Sequence, residues 1–249
     1  MKSKNQYELS LMRKSGDILS KVLKLALESI KIGATGIEVD GIATEEIYKL
    51  GGDLSYKTVP GYKFATCITV NDEVVHGIPT SRKFENGNLV SIDLAVMYKG
   101  WHTDAAWSIL IGKDTEKEKF LKVGQEALWD GIAQATPGNR VGDISNAIQT
   151  KVEGVGYQVV RSLVGHGVGR SLHEEPEIPG FGQKNTGMIL TTGMSLAIEI
   201  IYAKGSSDVI LDKDGWTFKT ADGSWGGLFE MTVIVDKKPE VLTCPQCFA

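Results

Sequence analysis

Four carboxylates stand inside stretches of sequence that otherwise read as buried β-strand. Asp93 interrupts Val90-Ser91-Ile92-Asp93-Leu94-Ala95-Val96, and Asp104 follows a tight turn in the next β-rich run. Glu199 lies within Leu196-Ala197-Ile198-Glu199-Ile200, and Glu230 within Leu228-Phe229-Glu230-Met231-Thr232-Val233. Asp is disfavoured in strand interiors, and carboxylates are seldom fully buried without a partner. A hairpin turning around Tyr98 and Lys99 sets Asp93 directly opposite Asp104, with their Cβ atoms about 5 Å apart on one face. Two like charges so placed repel, which calls for a cation between them or a proton on one of them. The alternative makes one Asp a solvated turn residue. Taken singly, Glu199 and Glu230 could equally be core carboxylates paired with Lys or Arg, or edge residues facing water.

A fifth candidate is His166 in Val164-Gly165-His166-Gly167-Val168-Gly169, where glycines permit close backbone approach around the ring. Four carboxylates with one such imidazole form the oxygen-rich donor set expected for two divalent ions of the Co, Mn, Fe or Zn kind. His76, before Gly77-Ile78-Pro79, and His173, before Glu174-Glu175-Pro176, also stand beside structured turns. A lone loop His is usually a surface residue, but three of the four histidines in such places favour acid–base work. His102, beside Asp104 with alternate facing, is expected to be structural or supporting.

These residues need elements to position them. Leu9, Met12, Leu19, Leu23, Ala26 and Ile30 recur at helical spacing, predicting an amphipathic helix over about 8–32 that Gly33 stops. Thr35-Gly36-Ile37-Glu38 is a capping-box pattern opening a second helix to about Leu50. The same order recurs: a Thr115…Glu118 box, a helix to about Ala135, a break at Pro137-Gly138, and a helix from about Val141. The recurrence suggests an internal duplication, roughly 1–112 and 113–249, with the site at the seam. Strands are expected over 65–75, 89–96, 105–111, 194–201 and 228–235. No linker or low-complexity tract divides the chain, so a single catalytic domain over 1–249 is expected.

Composition narrows the partners. The 249 residues, 42% hydrophobic, can bury one large core or two ordinary ones, and a net charge of -4 gives no footprint for nucleic acid or an anionic membrane. With no apolar run of about 18 residues and no secretory pattern at the start, a soluble cytoplasmic protein is expected. Cys67, Cys244 and Cys247 are too few for a disulfide framework, and the Cys244-Pro-Gln-Cys247 pair lacks the second pair of a structural zinc site.

Taken in order, Asn71-Asp72-Glu73-Val74-Val75-His76-Gly77-Ile78-Pro79, Ile92-Asp93, His102-Thr103-Asp104-Ala105, Gly165-His166-Gly167-Val168-Gly169-Arg170, His173-Glu174-Glu175-Pro176 and Phe229-Glu230-Met231-Thr232 resemble the successive signatures of type I methionine aminopeptidases. The resemblance implies the α+β pita-bread fold, two pseudo-symmetric halves with a curved antiparallel sheet covered by helices. It implies metal ligands at Asp93, Asp104, His166, Glu199 and Glu230, catalytic and substrate-contacting histidines at His76 and His173, and a methionine pocket at Tyr62, Cys67, Leu172 and Trp216. It further implies nascent polypeptide N-termini as substrates, the ribosome as a partner, and a monomer. Pro60, Leu172, Ile200 and Met231 depart from the family's usual residues and bear on pocket shape and metal tuning. An Xaa-Pro aminopeptidase and a non-catalytic peptide-binding protein of the same fold are the rivals.

Overall fold

Alternate residues of the Leu89–Tyr98 strand are apolar, and that alternation decides which face of the central sheet meets the helices. Val90, Ile92, Leu94 and Val96 are buried against Ile18, Leu19, Val22, Leu23 and Ala26 of the first helix. Asp93 and Ala95 therefore point the other way. The structure is a computed structural model describing residues 3–243; the Cys244 to Cys247 tail lies outside the described residues.

Among the described residues four α-helices pack on the apolar face. Helix α1 (Gln6–Ser29) opens on a capping box between Asn5 and Glu8, and leaves helical geometry at Ile30, earlier than its apolar period suggests. Helix α2 (Gly36–Lys49) carries the expected Thr35/Glu38 box. Helix α3 (Thr115–Ile132) is capped differently from the Thr115…Glu118 expectation. Its N-cap is Asp114, whose carboxylate accepts from the amides of Glu116 and Lys117. A carboxylate one residue earlier reaches those orphan amides and suits the positive helix end. Helix α4 (Val141–Glu153) follows as expected.

Among the described residues the main sheet has ten strands. Its central path runs Asp53–Leu54, Leu89–Tyr98, Trp101–Leu110, Gly226–Ile234, Ser195–Ala203, Val164–Gly167, Glu174–Pro179, with antiparallel pairing throughout, and Thr66–Val70 adds to Leu89–Tyr98. A second sheet of three short strands, Val209–Leu211, Phe218–Thr220 and Glu73–Val75, was not foreseen.

The central hairpin corrects the expected register. Its turn residues are Lys99 and Gly100, both at positive φ (51° and 76°), with Tyr98 opposite Trp101. Two consecutive positive-φ residues make the tight turn that matches strand twist, and glycine takes the second position without strain. Asp93 consequently faces Ala106 and Asp104 faces Ala95, so the two acids are diagonal neighbours on one face rather than directly opposite. Diagonal Cα atoms lie about 7–8 Å apart, which leaves room between the side chains. His102, two residues from Asp104 on an unbroken strand, shares its face rather than alternating with it.

Helix α3 approaches the sheet through Gly124, where an added Cβ would lie 2.5 Å from the Tyr202 hydroxyl and 2.7 Å from the Phe229 ring. Gly124→Ala is therefore expected to lower stability by about 1–3 kcal/mol through overpacking, measured by the urea midpoint. An unchanged midpoint would show that this contact does not set the helix's seat.

Candidate metal centre

Register alone gathers the acids. Cys67 stands opposite Asp93, Asp93 opposite Ala106, Ala106 opposite Glu230, and Glu230 opposite Glu199, making one row across four adjacent strand pairings. Residues directly opposite in a sheet share a face, so all five side chains project to the side away from the helices. Two residues along, a second row runs from Ala95 to Asp104, then past Thr232 and Ala197 to His166. Thr232 joins this row through its hydroxyl, which donates to Asp104 O and accepts from Asp104 N at 2.9 and 2.8 Å. The small residues Ala95, Ala106 and Ala197 leave space in which the longer acids meet. Gly165 seats the His166 strand: a Cβ there would stand 2.7 Å from Ala197 O.

All five expected ligands line one cavity of about 200 Å³. A single water needs only about 10–15 Å³, so the space suits a ligand. The tightest group is Asp104, His166 and Glu230, whose donor atoms all lie within 4.8 Å of one another. His166 Nδ1 lies 2.9 Å from Gly167 O, which can only accept, so Nδ1 carries the hydrogen. Burial, and next His173, push the ring's pKa down to about 4, leaving it neutral. Its Nε2 lone pair then faces Asp104 Oδ2 and Glu230 Oε1, both 3.9 Å away. That is too long for a hydrogen bond and close to twice a metal–ligand bond of roughly 2.0–2.2 Å. Glu230 Oε1 is buried without a hydrogen-bond partner.

The electrostatics agree. Burial raises Asp93 to about 6, against hydrogen bonds from Tyr56 and Asp104. Burial, reinforced by Asp93, raises Glu199 to about 8; although part of its surface faces the cavity, lost solvation still dominates. Asp104 and Glu230 are pushed well above the carboxylate range by burial and by the other acids. No Lys or Arg lines the cavity among the described residues. Four acids, one neutral imidazole and an orphaned carboxylate oxygen fit hard or borderline divalent cations.

The other expected residues surround this cluster. The His173 ring stacks edgewise on His166 at 4.5 Å, and burial lowers its pKa. His76, at φ 58°, ends the Glu73–Val75 strand and contacts Phe218 at 6.0 Å; burial, then His173, lowers its pKa. Gly77 lets this turn close, since a Cβ there would be 2.2 Å from Ile68 O. Tyr62, Cys67 and Leu172 form an apolar cluster with Trp216 against it, the Tyr62 and Trp216 rings 5.0 Å apart. Of the departures, Leu172 lines the cavity and Pro60 is exposed. Ile200 and Met231 face the helices in the α3/α4 core, on the wrong side of the sheet to shape the pocket.

Sequence reasoning missed Tyr56, whose hydroxyl donates to Asp93 Oδ1 at 2.6 Å. Nothing local marks it, because its partner is 37 residues away.

A sheet face bearing buried acids around a neutral imidazole, beside an apolar side-chain pocket, is a donor set for divalent metal in an antiparallel α+β fold. Residues 10–237 match metallopeptidase family M24, and the chain belongs to that family. It is 45% identical over 242 residues to a methionine aminopeptidase of Clostridium perfringens, covering 96% of this chain and 97% of that one. It is 41% identical over 233 residues to methionine aminopeptidase 1 of Bacillus subtilis, covering 93% and 94%. The crystal structure of a methionine aminopeptidase from Thermotoga maritima superposes with a TM-score of 0.96 at 39% identity, covering 98% of this chain and 99% of that one. The fold is thus the pita-bread fold that the motifs implied.

The buried acids make stability pH-dependent without metal. Glu199's folded pKa of about 8 lies above its ordinary 4.5, so the folded protein keeps a proton that the unfolded chain has lost, and stability falls as pH rises through that interval. His166 opposes this only up to its ordinary 6.5. Metal-free protein is therefore expected to lose urea stability between about pH 6.5 and 8, and Mn or Co to restore it. Flat or rising stability across that window would contradict the buried acidic cluster.

Proposed function

We propose that this chain is a divalent-metal-dependent methionine aminopeptidase that removes the initiator methionine from new polypeptides, with a small second residue preferred. The observation that carries the reading is one cavity with two unlike walls: the acidic donor set and, touching it through Cys67, the apolar cluster of Tyr62, Leu172 and Trp216. A flexible thioether packs well against aromatic edges, and the buried Cys67 thiol, its pKa raised by burial, stays neutral and adds a polarisable wall.

In this reading Asp93, Asp104, His166, Glu199 and Glu230 would hold divalent ions of the Co, Mn, Fe or Zn kind. The ions would supply Lewis acidity, making a water nucleophilic near neutral pH and polarising the scissile carbonyl. Glu199, lining the cavity among these ligands, is placed to take a proton from the attacking water and pass it to the departing amide nitrogen. His173, kept neutral beside His166, donates a hydrogen bond to the carbonyl oxygen as negative charge develops there. His76, held against Phe218 of the small sheet, lines the same cavity and contacts the scissile amide.

The proposal extends to a monomeric single catalytic domain of two related halves, acting in the cytoplasm on nascent N-termini at the ribosome. Among the described residues no helix is long and apolar enough to cross a membrane.

Metal-dependent release of Met from Met-Ala-Ser, with little action on an Ala-Pro peptide, separates this reading from its Xaa-Pro and non-catalytic rivals. In X-Ala-Ser peptides Met should exceed norleucine weakly, since such a change in an apolar pocket is worth about 1–3 kcal/mol, and exceed Leu or Ala strongly. Comparable kcat/KM for Leu and Met would mean a general aminopeptidase. His76→Ala and His173→Ala should each lower turnover about a hundredfold or more with metal content nearly intact, as assayed by single-turnover kinetics and elemental analysis. Loss of a full metal equivalent from His173→Ala would move that residue into the ligand set.

A further inference from the structure

We propose that Tyr56 is a positioning residue that turns the Asp93 and Asp104 carboxylates toward the metal centre while forming the floor of the substrate pocket. This inference rests on the metallopeptidase reading above.

Tyr56 sits in a short 3-10 turn, Ser55–Thr58, that is anchored at its first residue and closed on itself by its last. The Ser55 hydroxyl lies 2.6 Å from His102 Nδ1, and the Thr58 hydroxyl donates to Ser55 O at 2.7 Å. Because His102 is two residues from Asp104 on the same strand face, the turn is anchored to the strand that carries one of its targets. The phenol oxygen then stands 2.6 Å from Asp93 Oδ1 and 3.3 Å from Asp104 Oδ1. One phenolic proton serves one acceptor well at a time, and the shorter distance assigns it to Asp93. Both Oδ1 atoms are thereby gathered on the tyrosine side. The oxygen of Asp104 that faces His166 Nε2 is the other one, Oδ2.

Rotation of a carboxylate about its last torsion is soft, so a fixed donor on one oxygen decides where the second points. The Tyr56 ring meanwhile packs edge-on against Tyr62, centroids 5.7 Å apart, inside the apolar cluster with Cys67 and Leu172. Ring and hydroxyl thus have separable jobs, one toward substrate and one toward metal.

Tyr56→Phe separates them. Metal-free wild type and variant would be titrated with Co(II), followed by calorimetry and visible absorption. Partners that orient metal ligands typically contribute about 10–100-fold in affinity, and the variant is expected to lose that much, with an altered Co(II) spectrum. Its KM for Met-Ala-Ser under saturating metal should change little, because the ring remains. A Tyr56→Phe protein with wild-type Co(II) affinity and spectrum would overturn the proposal. If that variant does not fold, Ser55→Ala decides: it keeps the phenol but frees the turn, so several-fold weaker Co(II) binding is expected and wild-type affinity overturns the proposal. The two readings fail differently. Wild type that takes up no Co(II) sinks the metallopeptidase reading itself, whereas equal uptake by wild type and variant sinks only the role of Tyr56.

Discussion

Withdrawing four carboxylates from water onto one face of a sheet, with no Lys or Arg among them in the described residues, is the constraint around which this molecule is organised. Each acid is penalised by lost solvation and then by its neighbours, and unpaired buried charge costs several kcal/mol per group. Such a face persists only if the scaffold is stable enough to hold it and something positive completes it. The scaffold answers on the opposite face, where two large apolar clusters bind the helices to the same strands that carry the acids.

The strand alternation keeps these two demands apart. Ile92, Leu94, Ile198, Ile200, Phe229 and Met231 belong to the helix side, and Asp93, Glu199 and Glu230 to the other, residue by residue along the same strands. This separation lets Ile200 and Met231 differ from the usual family residues without touching the cavity. Burial on the cavity side keeps the histidines neutral. His76, His166 and His173 are all depressed chiefly by burial, so each offers a lone pair or a neutral donor rather than a cation that would compete with metal.

The sequence made the ligand set legible because acids interrupting apolar strands are locally conspicuous; Asp93, Glu199 and Glu230 each break a run of β-formers. Helices α1 and α2 were legible for a similar local reason, α1 through its apolar period and α2 through its capping box, and α4 through the Pro137-Gly138 break before it. The register around Lys99 and Gly100 was not, since adjacent candidate turns differ by one residue and only the positive φ of both central residues decides between them. Asp114 was hidden beside a Thr-x-x-Glu pattern that imitates a capping box. Tyr56 and the three-stranded sheet that brings His76 and Phe218 together depend on contacts between distant segments, which no local period encodes.

Two strand rows converge where a cation would sit, and anomalous diffraction from crystals grown with Mn(II) tests that convergence most directly. Strong peaks are expected within bonding distance of Asp104, His166 and Glu230, with any further peak reaching Asp93 and Glu199. A map with no peak on that face of the sheet, in protein that binds Mn(II) in solution, would contradict it.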